Sequence, residues 1–261
     1  MGGKRQNRKQ RRQIFLSVLL LLFCYTFPFF LCGSPSLPVD GEAALPADAA
    51  EETAPSEKLI ALTFDDGPHA VYTPRLLEGL ARRGVHATFF LIGSQASAQP
   101  ELVQQMDLMG HQIGLHTYDH VLLTSLTPAE VTEQMERSRR TLSALLGHDD
   151  FFVRPPYGIT NAAVRARISA PLVLWSIDPK DWEVQDADRV VRCVTSQAKD
   201  GDIILLHDIF PTSVDAALEI VDVLQGEGFR FVTVEELFVL RGIQPENGTT
   251  YSAAPRTRNT R

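Results

Sequence analysis

The sequence predicts an α/β fold built on a parallel sheet. Short apolar runs alternate with segments of helical periodicity along the middle of the chain, and strands that alternate with helices form parallel sheets. Polar motifs follow the ends of several runs, which is where α/β folds place their functional sites. The apolar runs are residues 59–63, 87–92, 112–115, 151–154, 172–176, 203–206 and 231–234.

The helices between these runs carry start and stop signals. Thr73 and Pro74 predict a capping residue followed by a first-turn proline, and Gly84 predicts the end of the same helix. The segment Thr-Pro-Ala-Glu at residues 127–130 predicts a capping box. After this box, apolar residues recur at helical spacing and predict a helix packed against the core. They are Val131, Met135, Leu142 and Leu146.

Two polar segments contain the residue types of an open catalytic metal site. Asp65 and Asp66 follow the first apolar run, and His116 and His120 are four residues apart. A catalytic zinc site supplies three nitrogen or oxygen ligands from the protein and leaves one position open. Adjacent side chains on an extended chain point to opposite sides, so one aspartate can bind the ion while its neighbour faces a bound water. Taken singly, an Asp-Asp-Gly-Pro turn and a pair of surface histidines are also ordinary features.

Three further motifs follow, and the five together resemble a known enzyme family. They are Arg-Pro-Pro-Tyr-Gly at residues 154–158, Asp-Pro-Lys-Asp-Trp at residues 178–182 and Leu-Leu-His-Asp at residues 205–208. In order and spacing, the set is similar to the motifs of the polysaccharide deacetylases, the NodB-like carbohydrate esterases of family 4. The resemblance covers residues 58–240, with a mild departure at Leu115, where many members carry a polar residue. It implies a distorted (β/α) barrel of about seven parallel strands.

The resemblance assigns the metal ligands and the general base. It implies that Asp66, His116 and His120 bind the metal, which we expect to be Zn²⁺, with Co²⁺ or another divalent transition metal as an alternative. It also implies that Asp65 is the general base and that Arg154 holds it. The chemistry agrees, because zinc lowers the pKa of the water that it binds, and a weakly basic carboxylate then suffices to accept the proton.

The resemblance also assigns the general acid and the substrate-binding residues. His207 would be the acid, oriented by Asp181, because a departing amine needs a proton and a neighbouring carboxylate favours the charged imidazolium. The backbone N–H of Tyr157 would donate to the oxyanion. Trp182 and Leu205 would line a small apolar pocket for the acetyl methyl group, although large apolar residues are also ordinary core residues.

Composition and cysteine usage indicate which partners and which disulfides are not expected. The chain of 261 residues has a formal net charge of −7 and no basic footprint, so no nucleic-acid partner is expected. No obligate protein partner is evident either. Cys24 and Cys32 lie in or beside a separate apolar segment, so Cys193 has no partner for an intradomain disulfide and is expected to be a buried free thiol. Trp175, inside an apolar run, is expected in the core of a strand.

The chain divides into five segments. Residues 1–13 are a basic leader, and residues 14–33 are apolar enough to cross a bilayer. This pair predicts a single-pass anchor in the cell membrane, with a cytoplasmic amino terminus and an extracytoplasmic catalytic domain. A cleaved signal peptide and a secreted protein are the competing interpretation. Residues 34–57 predict a flexible linker, residues 58–240 the catalytic domain and residues 241–261 a disordered tail.

These features predict a membrane-tethered, metal-dependent N-deacetylase. The expected reaction is hydrolysis of acetamide groups on an N-acetylglucosamine-type polysaccharide, either cell-wall peptidoglycan or a chitin-like glycan, with release of acetate. One alternative is an O-acetyl esterase acting on xylan or another polysaccharide, because the same constellation of residues hydrolyses esters. A second alternative is an inactive glycan-binding domain, which would have no need of the base, the acid and their partners.

Overall fold

The computed structural model describes residues 57–255. The predicted leader, the predicted anchor or signal segment and all but the last residue of the predicted linker therefore lie outside the described residues. Residues 256–261 also lie outside them. Within residues 57–255, no helix is both long enough and apolar enough to span a bilayer.

Seven strands lie within the described residues, and five of them form one parallel sheet. They are β1 (Lys58–Asp65), β2 (Thr88–Leu91), β3 (Gln112–Leu115), β4 (Leu172–Val173), β5 (Ile203–His207), β6 (Phe229–Val232) and β7 (Thr250–Tyr251). Strand β1 is central: β5 pairs with one of its edges, while β2 and β6 share the other edge. Strand β3 extends the sheet beyond β2. The predicted α/β fold with a parallel sheet is thus confirmed.

Single backbone bridges continue this sheet into an irregular ring. Val153 forms parallel bridges to Leu115 of β3 and to Leu172 of β4. Beyond β4, Ile177 forms a bridge to Ile204 of β5, and β5 returns to β1. On this side of the expected barrel, isolated bridges and the short β4–β7 pair take the place of continuous strands.

Nine α-helices within residues 57–255 connect and cover the strands. They are α1 (Tyr72–Arg82), α2 (Gly93–Ala98), α3 (Pro100–Leu108), α4 (Pro128–Leu146), α5 (Ala162–Arg165), α6 (Asp181–Val184), α7 (Ala187–Thr195), α8 (Pro211–Gly226) and α9 (Val234–Leu240). Helix α4 begins with the predicted capping box, in which the Thr127 N–H donates to Glu130 Oε2 at 2.8 Å. Its predicted stripe is also confirmed, because Val131, Met135 and Leu142 are buried and Leu146 packs against the core.

Three sequence predictions of element boundaries are wrong. Helix α1 begins at Tyr72, so Thr73 lies inside its first turn, and its hydroxyl donates to Asp208 instead of capping the helix. Residues 151–154 contribute only the bridge at Val153, because two prolines follow and lack the N–H that a strand ladder requires. The run 231–234 is displaced, since β6 ends at Val232 and Thr233 caps α9.

The disordered tail predicted from residue 241 is wrong for residues 241–255. Strand β7 lies there, and the Leu174 N–H donates to the Tyr251 carbonyl at 2.7 Å. Ala254 is fully buried, and its N–H donates to the Gly201 carbonyl at 2.8 Å. The segment is polar and has only a two-residue strand, so its order comes from tertiary pairing and leaves no periodic signal in the sequence.

The alternation of side chains along β1 determines the side of the sheet to which Asp65 points. Ile60, Leu62 and Phe64 point into the larger, helix-covered core, while Leu59 and Ala61 belong to a second apolar cluster. Successive side chains on a strand point to opposite faces. Asp65 therefore continues the series of Leu59 and Ala61 and points away from the larger core.

Candidate active site

A cleft of about 400 Å³ opens where the central parallel strands end. Eight of the ten predicted site residues line this cleft, and the other two, Arg154 and Asp181, are buried beside it. The strand register contributes directly, because Asp65 at the end of β1 pairs with His207 at the end of β5. The lining residues are Asp65, Asp66, His116, His120, Tyr157, Trp175, Asp178, Trp182, Leu205, His207 and Phe210.

Asp66, His116 and His120 form a compact group of metal-ligand atoms, all within 4.8 Å of one another. Asp66 Oδ1 lies 3.5 Å from His116 Nε2 and 3.3 Å from His120 Nε2. This oxygen is buried and has no hydrogen-bond donor among the described residues. Burial lowers the pKa of His120, against the opposing charge of Asp66, which favours the neutral ring that metals bind. A carboxylate and two neutral imidazoles fit a divalent transition metal.

The orientation of His116 is fixed by a backbone hydrogen bond. Its Nδ1 lies 2.7 Å from the carbonyl oxygen of Arg154, which can only accept, so Nδ1 carries the hydrogen. The lone pair of His116 is therefore on Nε2, the atom that faces Asp66. Such a bond to the second ring nitrogen is the usual way in which proteins set the tautomer of a metal-binding histidine.

The backbone around the cleft is unusual. Asp66, Thr117, His120 and Tyr157 all have left-handed conformations, with φ angles of 74°, 62°, 53° and 63°. Residues other than glycine rarely adopt such angles, and they persist only where surrounding contacts impose them. Both metal-ligand segments therefore depend on neighbouring parts of the fold for their shape.

Asp65 is held by a fully buried arginine. Arg154 Nη1 donates to Asp65 Oδ1 at 2.8 Å and to Thr63 Oγ1 at 2.7 Å. The same guanidinium donates to the carbonyl oxygens of Val173 at 3.0 Å and Leu174 at 2.9 Å. Four hydrogen bonds thus fix the guanidinium plane. One oxygen of Asp65 is occupied by Arg154, and the other, Oδ2, lies 3.7 Å from Nε2 of His116.

His207 is held by a buried aspartate. Its Nδ1 lies 2.8 Å from Asp181 Oδ1, and its backbone N–H donates to Asp181 Oδ2 at 2.9 Å. Burial lowers the pKa of His207, but the hydrogen bond and charge of Asp181, together with the charges of Asp65 and Asp66, raise it to about 9. The imidazolium is thus the stable form at neutral pH in the absence of a cation, and Nε2 is the ring nitrogen left for the cleft.

The predicted substrate-binding residues lie on the cleft walls. Tyr157 is 60% exposed and Trp182 is 49% exposed, whereas Leu205 is buried. The Tyr157 ring also contacts the ring of His120, with centroids 4.9 Å apart. The roles of these three residues toward substrate stay predictions.

Three lining residues had no role in the site predicted from the sequence, and the burial predicted for one thiol is wrong. Trp175, predicted in a strand core, lies just beyond β4 and lines the cleft together with Asp178 and Phe210. The available signal for Asp178 was its position just after the apolar run 172–176, at the start of the motif at residues 178–182. Trp175 lies inside that run and gave no such signal. Cys193, predicted as buried, is half-buried on α7, and Gln197 Nε2 lies 3.3 Å from its Sγ.

A buried carboxylate next to the cleft belongs to the motif at residues 205–208 but had no role predicted from the sequence. Asp208 is fully buried and accepts a hydrogen bond from the Thr73 hydroxyl. Burial raises its pKa to about 7. A Cβ atom at Gly67 would lie 2.3 Å from Asp208 Oδ1, so only glycine permits this approach beside Asp66. The carboxylate thereby links the end of β5 to the first turn of α1.

The fold and the site define a class of α/β proteins that carry a metal-ligand triad and two charge-supported side chains at the carboxyl ends of a parallel sheet. A family model described as polysaccharide deacetylase matches residues 52–170. The chain belongs to this polysaccharide deacetylase family, whose members are metal-dependent, as the motifs suggested.

Individual relatives and a solved structure support this membership. The chain is 40% identical over 188 residues to the peptidoglycan-N-acetylmuramic acid deacetylase PdaC of Bacillus subtilis, covering 72% of this chain and 40% of the relative. The chain thus spans about two fifths of the length of that relative. A peptidoglycan-N-acetylglucosamine deacetylase of Bacillus cereus is 37% identical over 190 residues, with 70% of this chain and 89% of the relative covered. A family 4 acetyl xylan esterase of Clostridium thermocellum, solved with a cobalt ion, has a TM-score of 0.72 at 30% identity and covers 76% and 100% of the two chains.

Proposed function

We propose that the chain is a metal-dependent N-deacetylase that hydrolyses acetamide groups on N-acetylglucosamine-type units of peptidoglycan or a chitin-like glycan and releases acetate. The observation that carries this proposal is the meeting, in one cleft, of the Asp66–His116–His120 triad with two supported proton-transfer residues, Asp65 and His207. The relatives named above as peptidoglycan deacetylases support the choice of substrate.

The triad suits Zn²⁺, and the cobalt ion in the solved esterase supports a divalent transition metal more generally. When bound, the metal would supply Lewis-acid activation of a water molecule and of the acetyl carbonyl. The protein's part is to present two neutral imidazoles and one carboxylate oxygen on the same side of the cleft. The hydrogen bond from His116 to the Arg154 carbonyl keeps one of these imidazoles in the correct tautomer.

In the proposed reaction Asp65 accepts the proton of the attacking water. The bond from Arg154 occupies Oδ1 and leaves Oδ2 on the side of the triad. A general base must lie within hydrogen-bond reach of the proton that it removes, and this orientation turns the second oxygen of Asp65 toward the atoms that would hold the metal. The buried guanidinium also stays charged throughout, so it stabilises the negative carboxylate before the proton is transferred.

His207 then donates a proton to the nitrogen of the departing amine. Asp181 holds Nδ1, so the proton on Nε2 is the one available to the substrate. Against burial, which lowers the pKa of His207, the hydrogen bond and charge of Asp181 raise it, which favours the protonated ring that an acid requires. Tyr157 would donate its backbone N–H to the oxyanion, and Trp182 and Leu205 would contact the acetyl group.

A second candidate function is hydrolysis of O-acetyl esters on xylan or another polysaccharide. The similarity to an acetyl xylan esterase favours it, and an ester needs the same water activation as an amide. An inactive glycan-binding domain is less consistent with the site, because two buried charged partners would then serve no chemistry.

The decisive experiment is a substrate comparison. Metal-loaded full-length protein is incubated with peptidoglycan fragments, chito-oligomers and acetylated xylan, and the acetate released from each is quantified. Asp65→Asn protein serves as the control for background hydrolysis. Acetate from the N-acetylated glycans supports the deacetylase, whereas release from acetylated xylan alone would establish the esterase.

We further propose that residues 14–33 keep the protein in the cell membrane with the catalytic domain outside the cytoplasm. The basic residues 1–13 and the length of the apolar segment support this arrangement. Membrane fractionation with amino-terminal sequencing tests it. A soluble secreted form that lacks the apolar segment would decide for signal cleavage.

A further inference from the structure

The loop between the two histidine ligands is held almost entirely by hydrogen bonds from other elements. Gly93 and Ser94, at the start of α2, donate their N–H groups to the carbonyl oxygens of Thr117 at 2.9 Å and Tyr118 at 3.0 Å. These bonds fix the loop from the side of β2. They do not involve its own N–H groups, which point toward the long helix α4.

One side chain of α4 binds those N–H groups. Gln134 Oε1 accepts from the N–H of Tyr118 at 3.1 Å and from the N–H of Asp119 at 3.0 Å. Gln134 Nε2 donates to Asp119 Oδ2 at 2.8 Å. A single glutamine thus satisfies two backbone donors and one carboxylate within the four-residue spacing of the ligands.

A second residue of α4 supports the same loop. The guanidinium of Arg137 lies 3.8 Å from the centre of the Tyr118 ring, and its Nη1 lies 3.5 Å from Asp119 Oδ2. A Cβ atom at Gly93 would lie 2.7 Å from the Tyr118 ring, so the ring is also confined from the α2 side. The loop is therefore enclosed by α2 on one side and by Gln134 and Arg137 on the other.

These contacts explain how the two histidines keep a geometry that the backbone disfavours. Thr117 and His120 have left-handed φ angles of 62° and 53°, which two non-glycine residues adopt together only under external constraint. The hydrogen bonds of Gln134 lie between these two positions. Without them, the Tyr118 and Asp119 N–H groups would bind water and the loop would relax toward ordinary angles, which moves His120 relative to His116.

We propose that Gln134 is a positioning residue of the metal site: it binds no metal, but it fixes the loop that brings His116 and His120 to one ion. The inference rests on the proposed function, since it requires that the triad holds a metal. It adds a residue from a helix outside the five motifs, with Arg137 as its support.

The test measures zinc affinity directly, by competition with a chromophoric chelator, on full-length wild-type protein and on Gln134→Ala. Outer contacts of metal ligands typically contribute about 10–100-fold in affinity, so Gln134→Ala should bind zinc about 10–100-fold more weakly. Excess zinc should restore most of its hydrolytic activity, because the catalytic groups are intact. Gln225→Ala is the matched control, since Gln225 is also a helical glutamine that donates to a backbone carbonyl, that of Arg83, away from the cleft.

A charge exchange keeps the proposal testable even if the alanine variant folds poorly. Gln134→Glu retains the acceptor oxygens but places a carboxylate against Asp119, so zinc affinity should fall. Adding Asp119→Asn should restore the affinity to within a few-fold of wild type, because the new amide can donate to Glu at position 134.

The outcomes separate this inference from the proposed function. Wild-type zinc affinity in both Gln134→Ala and Gln134→Glu would overturn the positioning role. The positioning role would also be overturned if Gln134→Glu weakened zinc binding and the added Asp119→Asn did not restore the affinity. Failure of the proposed metal site would show differently, as wild-type protein whose zinc binding is unchanged by His116→Ala.

Discussion

The proposed metal ligands and the proposed proton-transfer residues share one cleft but are fixed by different parts of the structure. Asp66, His116 and His120 lie on loops whose left-handed backbone depends on hydrogen bonds from neighbouring elements. Asp65 and His207 end two paired strands, and each side chain is bonded to a buried, oppositely charged partner.

This difference reflects how much each group of residues must be oriented in advance. A metal ion contributes binding energy of its own, so partly exposed loops suffice to gather its ligands. A proton-transfer group gains nothing comparable from the substrate before the reaction and must be oriented beforehand. We therefore expect Asp65 and His207, each bonded to a buried partner of opposite charge, to keep their positions without metal, while the loops that carry the proposed ligands respond to it.

The largest expected effect is loss of the metal. Asp66→Ala or His116→Ala should abolish tight zinc binding and reduce hydrolysis to background, because each removes one of three protein ligands. Metal analysis of the purified variants and the acetate assay measure both. Stoichiometric zinc retained by both variants would contradict the ligand assignment and, with it, the comparison.

The next largest effect is loss of activity without loss of metal, which we expect when a proposed proton-transfer residue is replaced. Asp65→Asn should lower hydrolysis of N-acetylated glycan and of an activated aryl acetate alike, by about 10²–10⁴-fold. His207→Ala should lower amide hydrolysis within the same range but affect the aryl acetate much less, because that leaving group needs no proton. Equal losses on both substrates for His207→Ala would show that it is not the leaving-group acid.

Replacing Arg154 tests how much the buried ion pair with Asp65 contributes to stability. Arg154→Met leaves Asp65 as a buried carboxylate without its cation, and breaking such a pair typically costs about 3–5 kcal/mol in the free energy of unfolding. Urea denaturation of the metal-free protein gives the value. Gln134→Ala should lower the free energy of unfolding by clearly less, since that residue is only partly buried. A larger loss for Gln134→Ala than for Arg154→Met would contradict the expected difference between the two regions.

The smallest expected effect is a pH dependence that links the two regions. The pKa of His207 is raised from its ordinary value of 6.5 to about 9, so its contribution to stability is complete below pH 6.5 and is lost as the pH rises through 9. The free energy of unfolding of metal-free protein should fall across that interval by at most about 1.4 kcal/mol per pH unit. Asp181→Asn should remove most of the fall, as pH-dependent denaturation would show.

Metal binding should shift that titration. A divalent cation at Asp66 repels the proton on His207, so the pKa followed by NMR should be lower in the zinc-loaded protein than in the metal-free protein. An unchanged value would mean that the two regions are electrostatically independent.

The sequence was most informative where chemistry and chain order coincide. Asp65 and His207 end apolar strands and His116 directly follows one, so their meeting at one edge of a parallel sheet follows from the pattern. Gln134 could not be found in this way, because a polar residue on an amphipathic helix has the pattern of an ordinary surface position. Trp175 was misassigned for the related reason that an apolar residue just past a strand has the composition of core.

Tertiary pairing accounts for the remaining errors. Strand β7 has two residues and no periodic pattern, and it is ordered because β4 offers it an open edge. Thr73 has the sequence context of a helix cap, yet its hydroxyl donates to Asp208, which is 135 residues away. The local sequence does not identify β4 as the partner of β7 or Asp208 as the partner of Thr73.

The position of β1 has a consequence for how the protein is made. This strand is the first to be synthesised in the described part of the chain, yet it pairs with β5 and β6, so that Ala61 lies beside both Ile203 and Val232. The central strand must therefore wait, unpaired on at least one edge, until most of the domain has been translated. Long-range parallel pairing of this kind slows folding and exposes apolar strands to aggregation. We expect the nascent chain to need protection over residues 58–65 until β6 has emerged.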